Sequence, residues 1–119
     1  MNKKRVDGWI LKAKDAISKS GISEDGKVDK SFRGKISSFG AAMVTGSFKS
    51  AVAFFVEKGD SGVDRPLLLV AIYYVITDML VEPQEVLEYV CENDNKEVRE
   101  QFLDAAIAIK LAMNFYELV

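Results

Sequence analysis

The chain has 119 residues, 49 % of them hydrophobic and 29 % charged, with 16 Lys/Arg against 18 Asp/Glu. That length suits one domain with a real core, which excludes a disordered chain. Histidine is absent and Cys91 is the one cysteine, which excludes a disulfide framework, the usual zinc sites and any imidazole-dependent catalytic dyad.

The first predicted helix carries Val6, Trp9, Ile10, Ala13, Ala16 and Ile17 on one face at helical spacing, and Gly21 is its natural stop. Ser23 to Val28 reads as a polar turn. A second helix repeats Phe32, Ile36, Phe39 and Met43, and its Gly34, Gly40 and Gly46 predict a close-packed neighbour. Ser47 caps a third helix with Phe48, Ala51, Val52 and Phe55 on one side and Phe54 on another. Gly59 to Val63 reads as a loop, and Asp64 as the cap before Pro66.

The helix Leu67 to Leu80 is apolar nearly all round and so reads as a buried central element. Pro83 opens a short helix through Cys91, a small core hydrophobe on this reading; Asn93-Asp94-Asn95 is a turn and cap. The last helix aligns Val98, Phe102, Ala105, Ala106, Ile109, Met113 and Tyr116. No strand alternation or repeat is visible. The expectation is all-α: a compact bundle of five to six helices forming a single domain over residues 1–119.

Targeting signals are not evident. Asp7, Lys12, Lys14 and Asp15 interrupt what would have to be an apolar leader, and the apolar run Leu67 to Ile76 is half the roughly twenty residues a bilayer span needs. The expected setting is cytoplasmic, without membrane contact.

Enzymatic chemistry finds little support. Glu82, Glu85 and Glu88 could share a helix face with a metal, but a solvated acidic surface is much the better explanation of them. Glu92 to Asn95 lacks the glycine and distal glutamate of a calcium loop, and Gly59 to Gly62 lacks the lysine of a phosphate loop. No base stands near Cys91 in sequence to activate its thiol. The expectation is a protein that is not an enzyme, with no catalytic residues, no metal and no cofactor.

Charge is the informative feature. Residues 1–60 hold 12 Lys/Arg against 7 Asp/Glu, a net +5, while residues 61–119 hold 4 against 11, a net −7. Such polarity suits an anionic polymer at one pole, or head-to-tail self-association. On the first helix Arg5, Lys12 and Lys19 recur every seventh residue, so they form a nearly straight row about 10.5 Å apart. Lys30 and Arg33 follow in the turn and second helix, and Lys49 opens the third. This set, Arg5, Lys12, Lys19, Lys30, Arg33 and Lys49, is the expected RNA-binding ladder, touching successive phosphates in a salt-sensitive way. Ordinary solvated lysines are the plain alternative. A helical adaptor that binds protein only is the rival reading, motivated by the apolar helix Leu67 to Leu80.

Beyond spacing, the stretch Arg33 to Gly59 resembles the small subunit of type III-B (Cmr) CRISPR effector complexes. The resemblance rests on Gly46, Ser47-Phe48, Ala53-Phe54 and Lys58-Gly59, on the opening Arg5 to Ala13, and on the Ala/aromatic mixture of Phe102 to Leu118. Thr45-Gly46-Ser47-Phe48 stands where that family often has Asn-Gly-Leu, and Met113-Asn114-Phe115 stands where an aromatic-basic pair is common. The type III-A small subunit shares the helical architecture. The resemblance implies a compact all-α bundle without catalytic residues, stacked in several copies. Its implied partners are guide RNA, target RNA and the other subunits of the effector complex, which carry the cleavage chemistry in antiviral defence.

Overall fold

A computed structural model describes residues 1–59 and 62–119. Its elements are α1 (Lys3–Lys19), β1 (Ser23–Glu24), β2 (Lys27–Val28), α2 (Ser31–Thr45), α3 (Phe48–Val56), α4 (Pro66–Thr77), α5 (Pro83–Glu92), α6 (Lys96–Ala112), a 3-10 turn (Met113–Phe115) and β3 (Glu117–Leu118). The fold is an all-α bundle with a very small sheet. Its radius of gyration, 12.8 Å, matches the ~13–14 Å of one compact domain of this length. Among the described residues no helix is long and apolar enough to cross a membrane.

The caps follow local chemistry. Asn2, Ser47 and Asn95 each accept a backbone N–H from the first turn of α1, α3 and α6. Pro66 and Pro83 open α4 and α5, where a missing N–H costs nothing. Asp64 does not cap α4: Arg65 occupies the cap position, and its side chain makes no capping bond. Asp60 and Ser61 of the expected Gly59–Val63 loop lie outside the described residues.

The centre of the bundle is α4, whose Leu68, Leu69, Ala71, Ile72 and Val75 are fully buried. Its Tyr74 is also buried, with the hydroxyl turned to charged partners on α1. The helix ends earlier than its apolar pattern predicts, because Asp78 adopts the left-handed conformation at φ 65°. Met79 and Leu80 therefore leave the core and stand 56 % and 52 % exposed.

Helix α6 packs between α1 and α2. Asn2 and Arg5 meet Asp104 while Lys14 meets Tyr116, so α1 runs parallel to α6. Arg33 meets Asn114 while Gly40 faces Leu103, so α2 runs antiparallel to it. Phe102 on α6 contacts Phe48 edge-on at 5.0 Å and stacks with Tyr89 at 6.4 Å, tying α3 and α5 into the same core.

Four expectations need correction. Ser23 to Val28 is a hairpin rather than a plain turn: Asp25 (φ 53°) and Gly26 (φ 76°) supply the paired positive φ values of a type I′ turn. β3 joins β2 in parallel, and strands this short cannot display period-two alternation. The last helix consequently stops at Ala112, short of Tyr116. Cys91 is exposed, because the buried stripe of α5 runs through Val86 and Val90 and the next position lies about 100° round the helix. Nor do the glycines of α2 mark tight packing, since Gly34 faces open space and Gly40 meets only Leu103 at ordinary contact distance.

Candidate nucleic-acid interface

The row Arg5, Lys12 and Lys19 exists on α1, but each member already has a carboxylate partner. Arg5 donates through Nε to Asp104 Oδ2 at 2.9 Å, places Nη2 2.7 Å from the same oxygen, and reaches Glu97 at 3.1 Å through Nη1. Lys12 pairs with Asp78 at 2.9 Å, and Lys19 pairs with Asp15 at 3.1 Å while donating to the Tyr74 hydroxyl at 2.9 Å. The row therefore knits α1 to α4 and α6.

Electrostatics follow the geometry. Burial opposes the charge on Arg5, but hydrogen bonds to Asp104 and Glu97 outweigh it and raise the guanidinium pKa. The Tyr74 hydroxyl, then Lys19, hold the Asp15 carboxyl below its ordinary range. The same Tyr74 contact, then Asp15, raises Lys19. Asp104 has no exposed surface, which makes Arg5 its necessary counter-charge.

The remaining members of the expected ladder fall in two places. Lys30 and Arg33 stand at the start of α2 beside the chain's final turn. The Lys30 N–H donates to the Val119 carbonyl at 3.0 Å, and Arg33 Nη1 donates to Asn114 Oδ1 at 3.3 Å. Lys49 is exposed at the start of α3, beyond the other end of α2 and so about 20 Å along that helix from Arg33. It is not part of the same cluster.

Lys14, which stood outside the expected set, meets the same C-terminal segment as Lys30 and Arg33. Its ammonium lies 4.8 Å from the centre of the Phe115 ring, and its carbonyl accepts the Tyr116 hydroxyl at 2.7 Å. Phe115 is 51 % exposed on a 3-10 turn anchored by buried Met113. Lys14 thus lies over one exposed aromatic ring of the C-terminal turn, Arg33 bonds the residue before that ring, Lys30 joins the last residue through its backbone N–H, and among the described residues none of the three pairs with a carboxylate.

Helical spacing could not place Lys14, because its neighbours come from the far end of the sequence. The pairing of Lys19 did leave a trace, because Asp15 stands four residues before it on the same helix.

The other candidate chemistry is accounted for structurally. The Glu85 carboxylate accepts the Glu82 N–H at 2.8 Å and so helps cap α5. Among the described residues no three acidic or thiol side chains converge as a metal would require. Buried Arg65 faces inward, donating to the Phe54 carbonyl at 3.1 Å with its guanidinium 4.0 Å from the Phe54 ring.

Compared with models of protein families, with curated proteins and with solved structures, the chain matches none.

Proposed function

We propose that this protein is a non-catalytic, RNA-contacting structural subunit, of the kind its resemblance to the type III-B (Cmr) small subunit implies. The observation that supports this reading is that Lys14 on exposed Phe115, Arg33 on Asn114 and Lys30 at Val119 all meet the chain's last seven residues with no carboxylate partner among the described residues. Cations close to a strand's phosphates neutralise them without reading sequence, and an exposed ring offers a face for a base. In a guided complex, base pairing between guide and target supplies specificity, while the protein holds backbone and shape. Three cations per copy make a weak site alone and a strong one when copies line a single RNA. Neighbouring subunits carry the bond-breaking step.

This reading moves the contact away from Arg5, Lys12 and Lys19, whose charges serve the fold. The deciding measurement is target-RNA retention by an assembled complex in which Lys14, Lys30 and Arg33 are all changed to Glu. Retention should fall at least tenfold, and the salt dependence of the residual binding should flatten by nearly one unit of slope per lost phosphate contact. Unchanged retention overturns the proposal.

A further inference from the structure

The exposed ring of Phe115 sits on a pinned turn. Buried Met113 anchors that turn before the ring. After it, the Tyr116 N–H donates to the Met113 carbonyl at 3.1 Å, and the Tyr116 hydroxyl donates to the Lys14 carbonyl at 2.7 Å. β3 then ties the chain to the hairpin, where the Glu117 N–H reaches the Gly26 carbonyl at 3.0 Å and the Val119 N–H the Val28 carbonyl at 2.9 Å. One face of the ring carries the Lys14 ammonium, which leaves a single face for a partner. The surroundings suit a polyanion. No Asp or Glu occurs in residues 30–56 or 105–116, which take in all of α2, the second half of α6 and the 3-10 turn. Asp15, next to Lys14 in the chain, is engaged by Lys19 and the Tyr74 hydroxyl. Glu117, the carboxylate nearest the ring in sequence, stands past Tyr116 in β3.

Paired and unpaired RNA would use such a surface differently. In a duplex each base is covered by its neighbours, and a protein reaches phosphates, 2′-hydroxyls and the shallow groove. Cations suffice for that. An aromatic face serves only a base that has left the stack. A ring already pinned in place also loses little freedom on binding, so ordering the turn does not cancel the gain.

We infer that the Phe115 site takes an unpaired nucleotide of RNA, one per copy, with its base on the free face of the ring and its phosphate toward Lys14 and Arg33. This rests on the RNA-contacting reading and names the form of RNA that the site holds. Stacking of this kind is indifferent to base identity, because every base has a face to offer.

The test titrates the full-length protein with a short oligouridine and, separately, with a blunt RNA duplex, and follows the backbone amides by NMR. Three cations make a weak site, so protein at ~1 mM and low salt are used. Oligouridine should shift the amides of residues 113–116 and Lys14, and ultraviolet irradiation should cross-link it to Phe115. Phe115→Leu keeps an apolar side chain but removes the stacking face. It should weaken oligouridine binding at least about fivefold, leave its salt dependence unchanged, and leave duplex binding as it was. Phe115→Tyr should restore the oligouridine affinity. The ring borders solvent, and circular dichroism checks that each variant remains folded.

Phe115→Leu with undiminished oligouridine binding overturns the inference, and so does an equal loss for oligouridine and duplex. A cross-link that maps away from the C-terminal turn overturns it as well. In each of these cases loss of binding by the Lys14/Lys30/Arg33 variant still upholds the cationic contact, so the two proposals fail separately. If neither RNA binds, the inference falls, and retention by the assembled complex decides the reading beneath it.

Discussion

Two cations of α1, Arg5 and Lys14, meet opposite fates. At the N-terminal end Arg5 is drawn down onto Asp104, a carboxylate with no exposed surface, and braced by Glu97. Nine residues later Lys14 lies against an exposed ring, with no carboxylate bound to it among the described residues. Both residues look alike in a count of basic positions. A positive charge on a helix becomes available to a ligand only where neither its own helix, as Asp15 does for Lys19, nor the opposing one offers an anion.

The sharpest way to break this contrast is at Arg5. Removing one partner of a buried pair leaves an uncompensated charge and costs about 3–5 kcal/mol. Arg5→Ala should therefore lower stability by that amount in urea unfolding, and joint replacement of Arg5, Lys12 and Lys19 by Glu should unfold the domain. The double variant Arg5→Met with Asp104→Leu should recover most of the loss, because it removes both charges together. A loss below 1 kcal/mol for Arg5→Ala would mean that Asp104 is not held by this contact.

Much of the architecture was legible from one residue to the next. Val98, Phe102, Ala105, Ala106 and Ile109 are buried as their spacing predicts, and the apolar helix beginning at Pro66 is central. Helical periodicity reports directly which face is inward. It does not report what lies opposite an outward residue, and there the reading failed. The row of Arg5, Lys12 and Lys19 was visible, but the neutralisation of Arg5 and Lys12 needed the position of α6 and of the α4 end, whereas Asp15 stands four residues before Lys19 on the same helix. Lys14 became interesting only through Phe115, 101 positions away in the chain. Short strands escaped for a related reason. Two residues show no alternation, although Asp25-Gly26 carried the turn signal.

A middle-sized effect is expected at Tyr116, whose hydroxyl ties the C-terminal turn to the Lys14 carbonyl at 2.7 Å. Tyr116→Phe should cost about 1 kcal/mol, the usual net value of such a bond. Amide hydrogen exchange should locate the loosening at residues 113–119 and leave the N-terminal end of α1 unchanged. Uniform loosening of α1 would show that its two ends are not independent.

Smaller again is the pH response of the surface group at Asp15, Lys19 and Tyr74. The folded pKa of Asp15 lies below its ordinary 3.8, so its contribution is full above that value and is lost as pH falls through the lowered pKa. The Lys19 pKa is raised above 10.5, so its contribution is full below that value and disappears as pH rises through the raised one. In an Asp15→Asn variant the difference in Tm from wild type should be constant around neutrality and shrink at acid pH. A difference that grows on acidification would contradict the assigned contacts.

The smallest stability effect belongs to the cluster proposed to meet RNA, and its smallness is the point. Substitutions on the surface that break no buried contact usually change stability by less than about 0.5 kcal/mol. Lys14 and Lys30 are exposed, and Arg33 makes only a long 3.3 Å bond to Asn114. Changing the three to Glu should leave the unfolding midpoint almost where it was while RNA retention falls. Arg5→Ala should do the reverse at a temperature where it remains folded: lower stability, unaltered retention. If the cluster variant proved as unstable as the Arg5 variant, these cations too would belong to the scaffold, and loss of RNA would follow from unfolding alone. Measuring both quantities on both variants separates a charge that holds the fold from one left for a partner.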